Sequence, residues 1–212
     1  MDVRDREHYI HRYSAWVNEF GYSPKSLGWG EGQQSVRFSA LSTEVIQNPT
    51  SSILDVGCGF GDLYDFLITS KWHGQYTGID IVPRLVEIAR TRNQNLDVRL
   101  ADLFELSDDR KYDYVISSGI FNGKLKYEDN KEHIRKALRK MFEIARVQVC
   151  VDFLSTYVDF QRPQAFHTDP AWALTTGMSL TKRVILRHDY MPYEFALFLY
   201  KNSAISRRNV FE

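Results

Sequence analysis

The sequence predicts an α/β protein built on a doubly wound, mostly parallel sheet, and two observations carry that expectation. Short apolar runs ending in an acid or a glycine alternate with amphipathic helical stretches, the pattern of successive βαβ units. The run Ile53-Leu54-Asp55-Val56 then breaks into Gly57-Cys58-Gly59-Phe60-Gly61-Asp62, three glycines at alternate positions with a helical pattern directly behind them. Glycine lets a chain turn sharply and approach a ligand with no Cβ in the way. The helix opening behind it directs unpaired N–H groups and a positive dipole end into the same space.

The elements follow in order. Residues 4–20 carry Ile10, Tyr13, Val17 and Phe20 at helical spacing and stop at Gly21. A turn-rich stretch places Trp29 between Gly28 and Gly30, and a second helix is expected over 31–47 with Val36, Leu41, Val45 and Ile46 facing inward. Ile53 to Val56 read as the first buried strand. Tyr76-Thr77-Gly78-Ile79-Asp80 is the second, with Ile81, Val82 and Pro83 leading into a helix over 84–92. Residues 98–103 supply the third strand and its loop, and Tyr112 to Ser117 the fourth, where Asp113 reads as a solvated turn residue. A helix over 130–146 buries Ile134, Ala137, Leu138, Met141, Phe142 and Ala145. Strands over 147–154, 179–187 and 194–200 complete the sheet. Between the fifth and sixth lies an aromatic segment, residues 155–177, with Tyr157, Phe160, Phe166 and Trp172.

Composition narrows the class. A chain of 212 residues buries one sizeable core. Lys plus Arg and Asp plus Glu both number 27, so the net charge is zero and lacks the basic surplus that a nucleic-acid modifier usually shows. Residues 131–140 and the pair Arg207 and Arg208 are local basic candidates, read as a solvated helix face and a terminus. Two cysteines make no disulfide framework, no apolar stretch reaches membrane-spanning length, and the charged start Met1-Asp2-Val3-Arg4 is no signal peptide. A cytoplasmic protein is expected, with no metal: His8 and His11 have no further ligands beside them.

These motifs resemble the class I S-adenosylmethionine-dependent methyltransferases. Asp55, Gly57, Gly59 and Gly61 match that family's acid followed by Gly-x-Gly-x-Gly, and the four elements over residues 51–122 follow its order. Nicotinamide-binding proteins put their third glycine one place later, where Asp62 stands here and would repel a pyrophosphate. The resemblance implies a Rossmann-like seven-stranded sheet with an antiparallel last strand, plus an N-terminal helical lid over residues 1–50 preceding a methyltransferase domain over 51–212. It implies S-adenosyl-L-methionine as cofactor, held by Asp55, the loop Gly57, Cys58, Gly59 and Gly61, by Asp80 on the ribose, Ile81 on adenine, and Asp102 and Leu103 at the adenine edge. Ser117 ends the fourth strand beside the methyl group, and the lid brings Trp29, Gln34 and Arg37 near the methionine end, where Arg37 is expected to pair with its carboxylate. A finer resemblance, to small bacterial stand-alone enzymes of this type, rests on the Gly-Trp segment and on Arg187-His188-Asp189-Tyr190. On the residues alone, Asp80 and Asp102 are equally placed to cap helices, Arg37 to lie on the surface, and Cys58 to be a small packing residue.

Ligands of open α/β sheets bind beyond the carboxyl ends of the strands. Phe121 and Asn122 after the fourth strand, Tyr157 in the aromatic segment, and Tyr190 and Tyr193 before the last strand are therefore expected to roof the donor as the acceptor site, an enclosure that suits a small molecule. Methyl transfer from a sulfonium is an in-line displacement in which alignment can supply roughly 7–11 kcal/mol of the barrier. An oxygen acceptor must also lose a proton, for which His188 is the first candidate base, with Asp189 beside it, and His167 the second. The resulting expectation is methyl transfer to oxygen or nitrogen of a small metabolite, with no nucleic-acid or membrane partner. An RNA or protein methyltransferase and a catalytically silent cofactor-binding module are the competing readings.

Overall fold

The computed structural model describes residues 1–107 and 109–202; Arg207 and Arg208 fall outside them. Seven strands form one sheet: β1 (Ser52–Val56), β2 (Gln75–Asp80), β3 (Val98–Leu100), β4 (Tyr112–Ser117), β5 (Ala145–Leu154), β6 (Val184–Arg187) and β7 (Glu194–Tyr200). Their spatial order is β3-β2-β1-β4-β5-β7-β6. The first five strands are parallel, and β7 runs antiparallel between β5 and β6. The order reverses between β1 and β4, so the loops leaving those two strands diverge and open a crevice at their carboxyl ends.

Helices cover both faces, and these apolar strands therefore carry buried residues on alternate sides without a polar face. On one side α6 (Asn130–Ile144) and α7 (Pro170–Met178) pack through Ile134, Leu138 and Met141 of the first and Ala173 of the second against a core that includes Leu54, Val115 and Val149. On the other, α4 (Asp62–Thr69) and α5 (Pro83–Arg92) pack through Leu63, Leu67 and Val86 against Ile53, Tyr114 and Cys150. Asp113, expected as a solvated turn, instead accepts the Ser52 N–H and hydroxyl, both at 2.8 Å, and sets the register of β4 beside β1.

The N-terminal segment lies over the crevice. Helix α1 (Val3–Phe20) buries Tyr9 and Val17, while Phe20 is exposed. Its N-terminal turn is fastened by Asp5, 1% exposed, which accepts the N–H groups of Lys126, Tyr127 and Glu128 at 2.8, 3.0 and 3.1 Å. The helix expected over 31–47 is two helices, α2 (Gln33–Leu41) and α3 (Thr43–Gln47), because the Ser42 hydroxyl donates back to the Phe38 carbonyl at the break. Val36 is exposed rather than inward. The sixth strand is shorter than expected, beginning at Val184, and residues 170–178 of the aromatic segment are helical. Asp169 caps that helix by accepting the Trp172 N–H at 2.7 Å, with Pro170 at its first position.

Candidate active site

The crevice is a cleft of about 1210 Å³, mouth included. Its floor is the turn after β1. Gly57, Gly59 and Gly61 all have positive φ, at 74, 55 and 82°, a region closed to most other residues. A Cβ on Gly57 would collide with Ile120, and one on Gly61 would stand 2.7 Å from Leu96. The turn's N–H groups are not free, which corrects the expectation that they face a ligand. Those of Gly57 and Cys58 both go to Ile79 O, that of Gly59 to Asp80, and that of Gly61 to Cys58 O. The glycines thus supply close approach, and the opening of α4 behind them has no side-chain cap on its first N–H groups.

Four carboxylates line the cleft: Asp55, Asp62, Asp80 and Asp102. Asp80 accepts Gly59 N–H and Val82 N–H, each at 2.9 Å, and burial pushes its carboxyl above the usual range. Asp55 is 4% exposed, under the turn rather than at its rim. Burial raises its pKa to about 7, against the 2.7 Å hydrogen bond from Tyr76 Oη that holds it down. Asp102 caps the short 3-10 turn Leu103–Glu105 by accepting Phe104 N–H at 3.0 Å, so it caps a turn and faces the cleft at once. Asp62 opens α4 and accepts from Tyr22 Oη at 2.8 Å, Gln34 Nε2 at 3.3 Å and Arg92 Nη1 at 3.2 Å, fastening the N-terminal segment to the floor.

Of the residues expected to hold a cofactor, the cleft brings together Asp55, Gly57, Cys58, Gly59, Asp80, Ile81, Asp102, Leu103 and Trp29. Cys58 is a buried packing residue against Gly78, its thiol pushed up by burial. Three others stand apart from it. Gly61 lies against Leu96. The Ser117 hydroxyl donates to Val56 O at 2.9 Å, and Ser118 takes its place in the wall. Arg37 does not face the cleft; it is 1% exposed and paired with Glu194, its Nε–H donating at 2.6 Å.

The expected acceptor residues and bases are outside the cleft lining. Phe121 is core, stacked on Phe153 at 5.3 Å, and Phe153 on Phe195 at 5.2 Å. Asn122 accepts Leu154 N–H at 3.0 Å through Oδ1, and its buried Nδ2 has no partner. Tyr157 is 72% exposed, Tyr193 donates to Asp159 at 2.5 Å, and Tyr190 packs beside β5 and β7 in the sheet's other core. His188 lies 6.0 Å from the Phe195 ring and 3.0 Å from Ser155 Oγ; His167 Nδ1 is 2.8 Å from Ser155 O. Both imidazoles pin the aromatic segment at Ser155, and Asp189 pairs with Arg187 at 2.7 Å instead of orienting His188. Sequence reasoning followed the strand-end loops, but the sheet's antiparallel edge carries these two away from the crevice.

What fills that place is mostly aromatic and comes largely from the N-terminal segment. Tyr9, Tyr13, Leu27, Trp29 and Phe38 form one wall, and Phe104, Ile120 and His133 another. Burial lifts Tyr9 to about 12, so its phenol stays protonated. His133 sits in the first turn of α6, with Nδ1 3.3 Å from Glu128 and its pKa lowered by burial. The helical spacing marked Tyr13 as inward but not what it faces, and nothing local distinguishes His133 from a surface residue of an amphipathic helix.

The fit to an adenosyl sulfonium can be judged on these features. A cradle that any Cβ would fill, an acid ending β2 and tied to it, and a second acid after β3 are what a ribose, an adenine and a positively charged methionine head require. Asp80, Ile81, Asp102 and Leu103 would hold the nucleoside and Asp55 with the glycine turn the methionine end. The bound group supplies a methyl carbon already activated by positive sulfur. Among the described residues, no three His, Cys, Asp or Glu side chains gather as for a metal, and no helix is long and apolar enough to cross a membrane.

A cofactor cradle at the switch point of a 3-2-1-4-5-7-6 sheet defines a class of enzymes that move a methyl group from S-adenosylmethionine. The comparisons agree. The family described as "Methyltransferase domain" matches residues 53–147. A Mycobacterium tuberculosis protein named a methyltransferase, Rv1506c, is 34% identical over 160 residues, which cover 72% of this chain and 94% of that one. The malonyl-[acyl-carrier protein] O-methyltransferase of Acetivibrio thermocellus is 41% identical over 71 residues, 32% of this chain and 25% of that one. The magnesium protoporphyrin IX methyltransferase of Synechocystis with bound SAH has the same fold, at TM-score 0.67 and 17% identity, covering 93% of this chain and 100% of that one. The chain belongs to the class I S-adenosylmethionine-dependent methyltransferases.

Proposed function

We propose that the protein transfers the methyl group to oxygen or nitrogen of a small, non-acidic metabolite by in-line displacement, with residues 1–50 acting as the lid. The observation that carries this reading is the chemistry of the cleft: four carboxyl groups, of which Asp55 is raised to about 7 and only partly ionised at neutral pH, and no Lys or Arg side chain among the described lining residues. Arg6, 3.8 Å from Asp102, also pairs with Glu105 at 2.8 Å, and Arg92 pairs with Asp62 and Asp65 at 3.2 and 2.7 Å. A second negative charge about 4 Å from one of these acids costs roughly 4 kcal/mol at an effective dielectric of about 20. Phosphorylated or carboxylate acceptors are disfavoured on that ground, and nucleic acid with them. The Acetivibrio and Synechocystis enzymes are named for different acceptors, so kinship alone selects neither.

The aromatic wall of Tyr9, Tyr13 and Trp29 suits a flat or cationic acceptor, since ring faces attract positive charge. An amine would bind as the ammonium and react as the free base. The test is release of S-adenosylhomocysteine in the presence of a panel of amines, phenols, alcohols and carboxylic acids. Turnover confined to amines and hydroxyl compounds supports the reading; turnover only on acids, or only on RNA or protein, refutes it.

A further inference from the structure

Ser118 and Gly119 form, with Trp29, the cleft wall at the end of β4, and one residue outside the cleft holds both. Asp152 near the end of β5, 1% exposed, accepts the Ser118 hydroxyl and the Gly119 N–H, each at 2.6 Å. Beyond it is Arg37 of α2, whose Nε lies 3.9 Å from Asp152 and whose guanidinium is bonded through Nε and Nη2 to the two oxygens of Glu194. The guanidinium carbon stands 3.9 Å from the centre of the Trp29 ring. Trp29 in turn packs on Gly119 so closely that a Cβ there would collide with its indole. The circuit is closed: Arg37 to Trp29, Trp29 to Gly119, Gly119 to Asp152, and Asp152 back to Arg37.

The circuit is costly. Two carboxylates share one guanidinium away from water, and well-packed apolar residues would often be as stable or more so. Burial first, and Glu194 next, push Asp152 up to about 6, while Arg37, Ser118 and Gly119 pull it down. The other group facing this cluster is Tyr190, from the loop before β7. Its buried hydroxyl has no partner, and its pKa is raised first by burial and then by Asp152 and Glu194. What this expense achieves is geometric: the lid helix, the last strand and the wall beside the glycine turn are held in one arrangement.

We propose that Arg37 and Asp152 are positioning residues for methyl transfer, holding the wall of Ser118, Gly119 and Trp29 in the shape that receives the methionine end of the donor. The proposal rests on the cleft being the donor site. Protonation of Asp152 weakens its hold on Gly119, Ser118 and Arg37, so the preformed wall depends on the ionised form.

The test is calorimetric titration of S-adenosylhomocysteine into the wild type, Asp152→Asn and Arg37→Lys between about pH 5 and about pH 8. Asparagine keeps the size and the acceptor for Gly119 but not the charge. Near pH 8, wild-type affinity should exceed that of D152N by about ten-fold, the scale of one charge-assisted hydrogen bond. The ratio should collapse toward one below about pH 6, because the wild type is then protonated too. R37K should be weaker by a similar factor, since lysine cannot bond bidentately to Glu194 while stacking on Trp29. Equal affinities throughout, or a ratio that does not change with pH, overturn the proposal; the second would mark Asp152 as structural only. If D152N does not fold, R37K of wild-type affinity overturns it. Absence of binding by the wild type is a distinct result, which removes the donor site itself and the proposal with it.

Discussion

Asp80 accepts the main-chain N–H of Gly59 at 2.9 Å, so the acid that ends the second strand and the turn that ends the first are one hydrogen-bonded unit. Its other oxygen accepts Val82 N–H at 2.9 Å, which orients the segment leading into α5. The carboxylate therefore shapes the cradle and faces the cleft at once. Asp80→Ala is expected to weaken S-adenosylhomocysteine binding by at least ten-fold, since hydrogen bonds to a charged group contribute about 1.5–3 kcal/mol. Isothermal calorimetry on the folded variant checks it; unchanged affinity would show that the ribose lies elsewhere.

Gly119 offers a steric test of the same wall. Its φ is +80°, and a Cβ there meets the Trp29 indole. Gly119→Ala should cost about 1–3 kcal/mol from backbone strain, before the displacement of Trp29 is counted. Thermal melts should show a lowered Tm, and tryptophan fluorescence a changed environment. A variant with wild-type Tm and emission would mean that the loop yields without moving the wall.

Two buried acids predict how stability responds to pH. Asp55 is raised to about 7 and Asp152 to about 6, in each case by burial first. The folded protein holds these protons after the unfolded chain has released its own, so unfolding free energy must fall as pH rises from the usual carboxylate range through those values. Every ten-fold difference in proton affinity between the folded and unfolded chain is worth about 1.4 kcal/mol. Tm of the ligand-free protein should therefore decline between about pH 6.5 and about pH 8, above the range in which His133, lowered by burial, acts in the opposite sense. Tyr76→Phe removes the hydrogen bond that restrains Asp55 and should steepen that decline. A Tm that rises over the window would contradict the assignment.

The three histidines near the carboxyl ends of the strands separate by position. His188→Ala and His167→Ala should leave donor affinity and turnover unchanged while costing about 0.5–1.5 kcal/mol of packing, because His188 stacks on Phe195 and both contact Ser155. His133→Ala opens the cleft wall between Phe104 and Ile120 and should weaken S-adenosylhomocysteine several-fold. Parallel calorimetry and denaturation on the three variants decide it, and loss of turnover in H188A would reinstate that residue as a base.

Much of the fold was legible because its elements are locally consistent. Ile53, Leu54 and Val56 can only be a buried strand before such glycines, and the last strand runs from Glu194 to Tyr200 as its apolar pattern predicts. The α7 helix was concealed by attention to aromatics, although Asp169 followed by Pro170 is a helix start that could have been read. The acids that line the cleft were equally legible, since Asp55, Asp80 and Asp102 sit at strand ends whose position follows from topology. The aromatic wall and the ion pair behind it were not. Tyr9 and Tyr13 reach the cleft through the packing of α1 on α5, and Arg37 is captured by Glu194 from a strand 157 residues away. Such pairings depend on tertiary approach and leave no mark in local spacing.

The central claim is that the crevice between β1, β2 and β4 holds the methyl donor. A crystal structure with S-adenosylhomocysteine tests it most directly. The expected density has the ribose on Asp80, the adenine beside Ile81 and Asp102, and the amino-acid end over the glycine turn toward Trp29 and Gly119. Density at another location, or a crevice still closed by the aromatic wall at saturating ligand, would contradict the account.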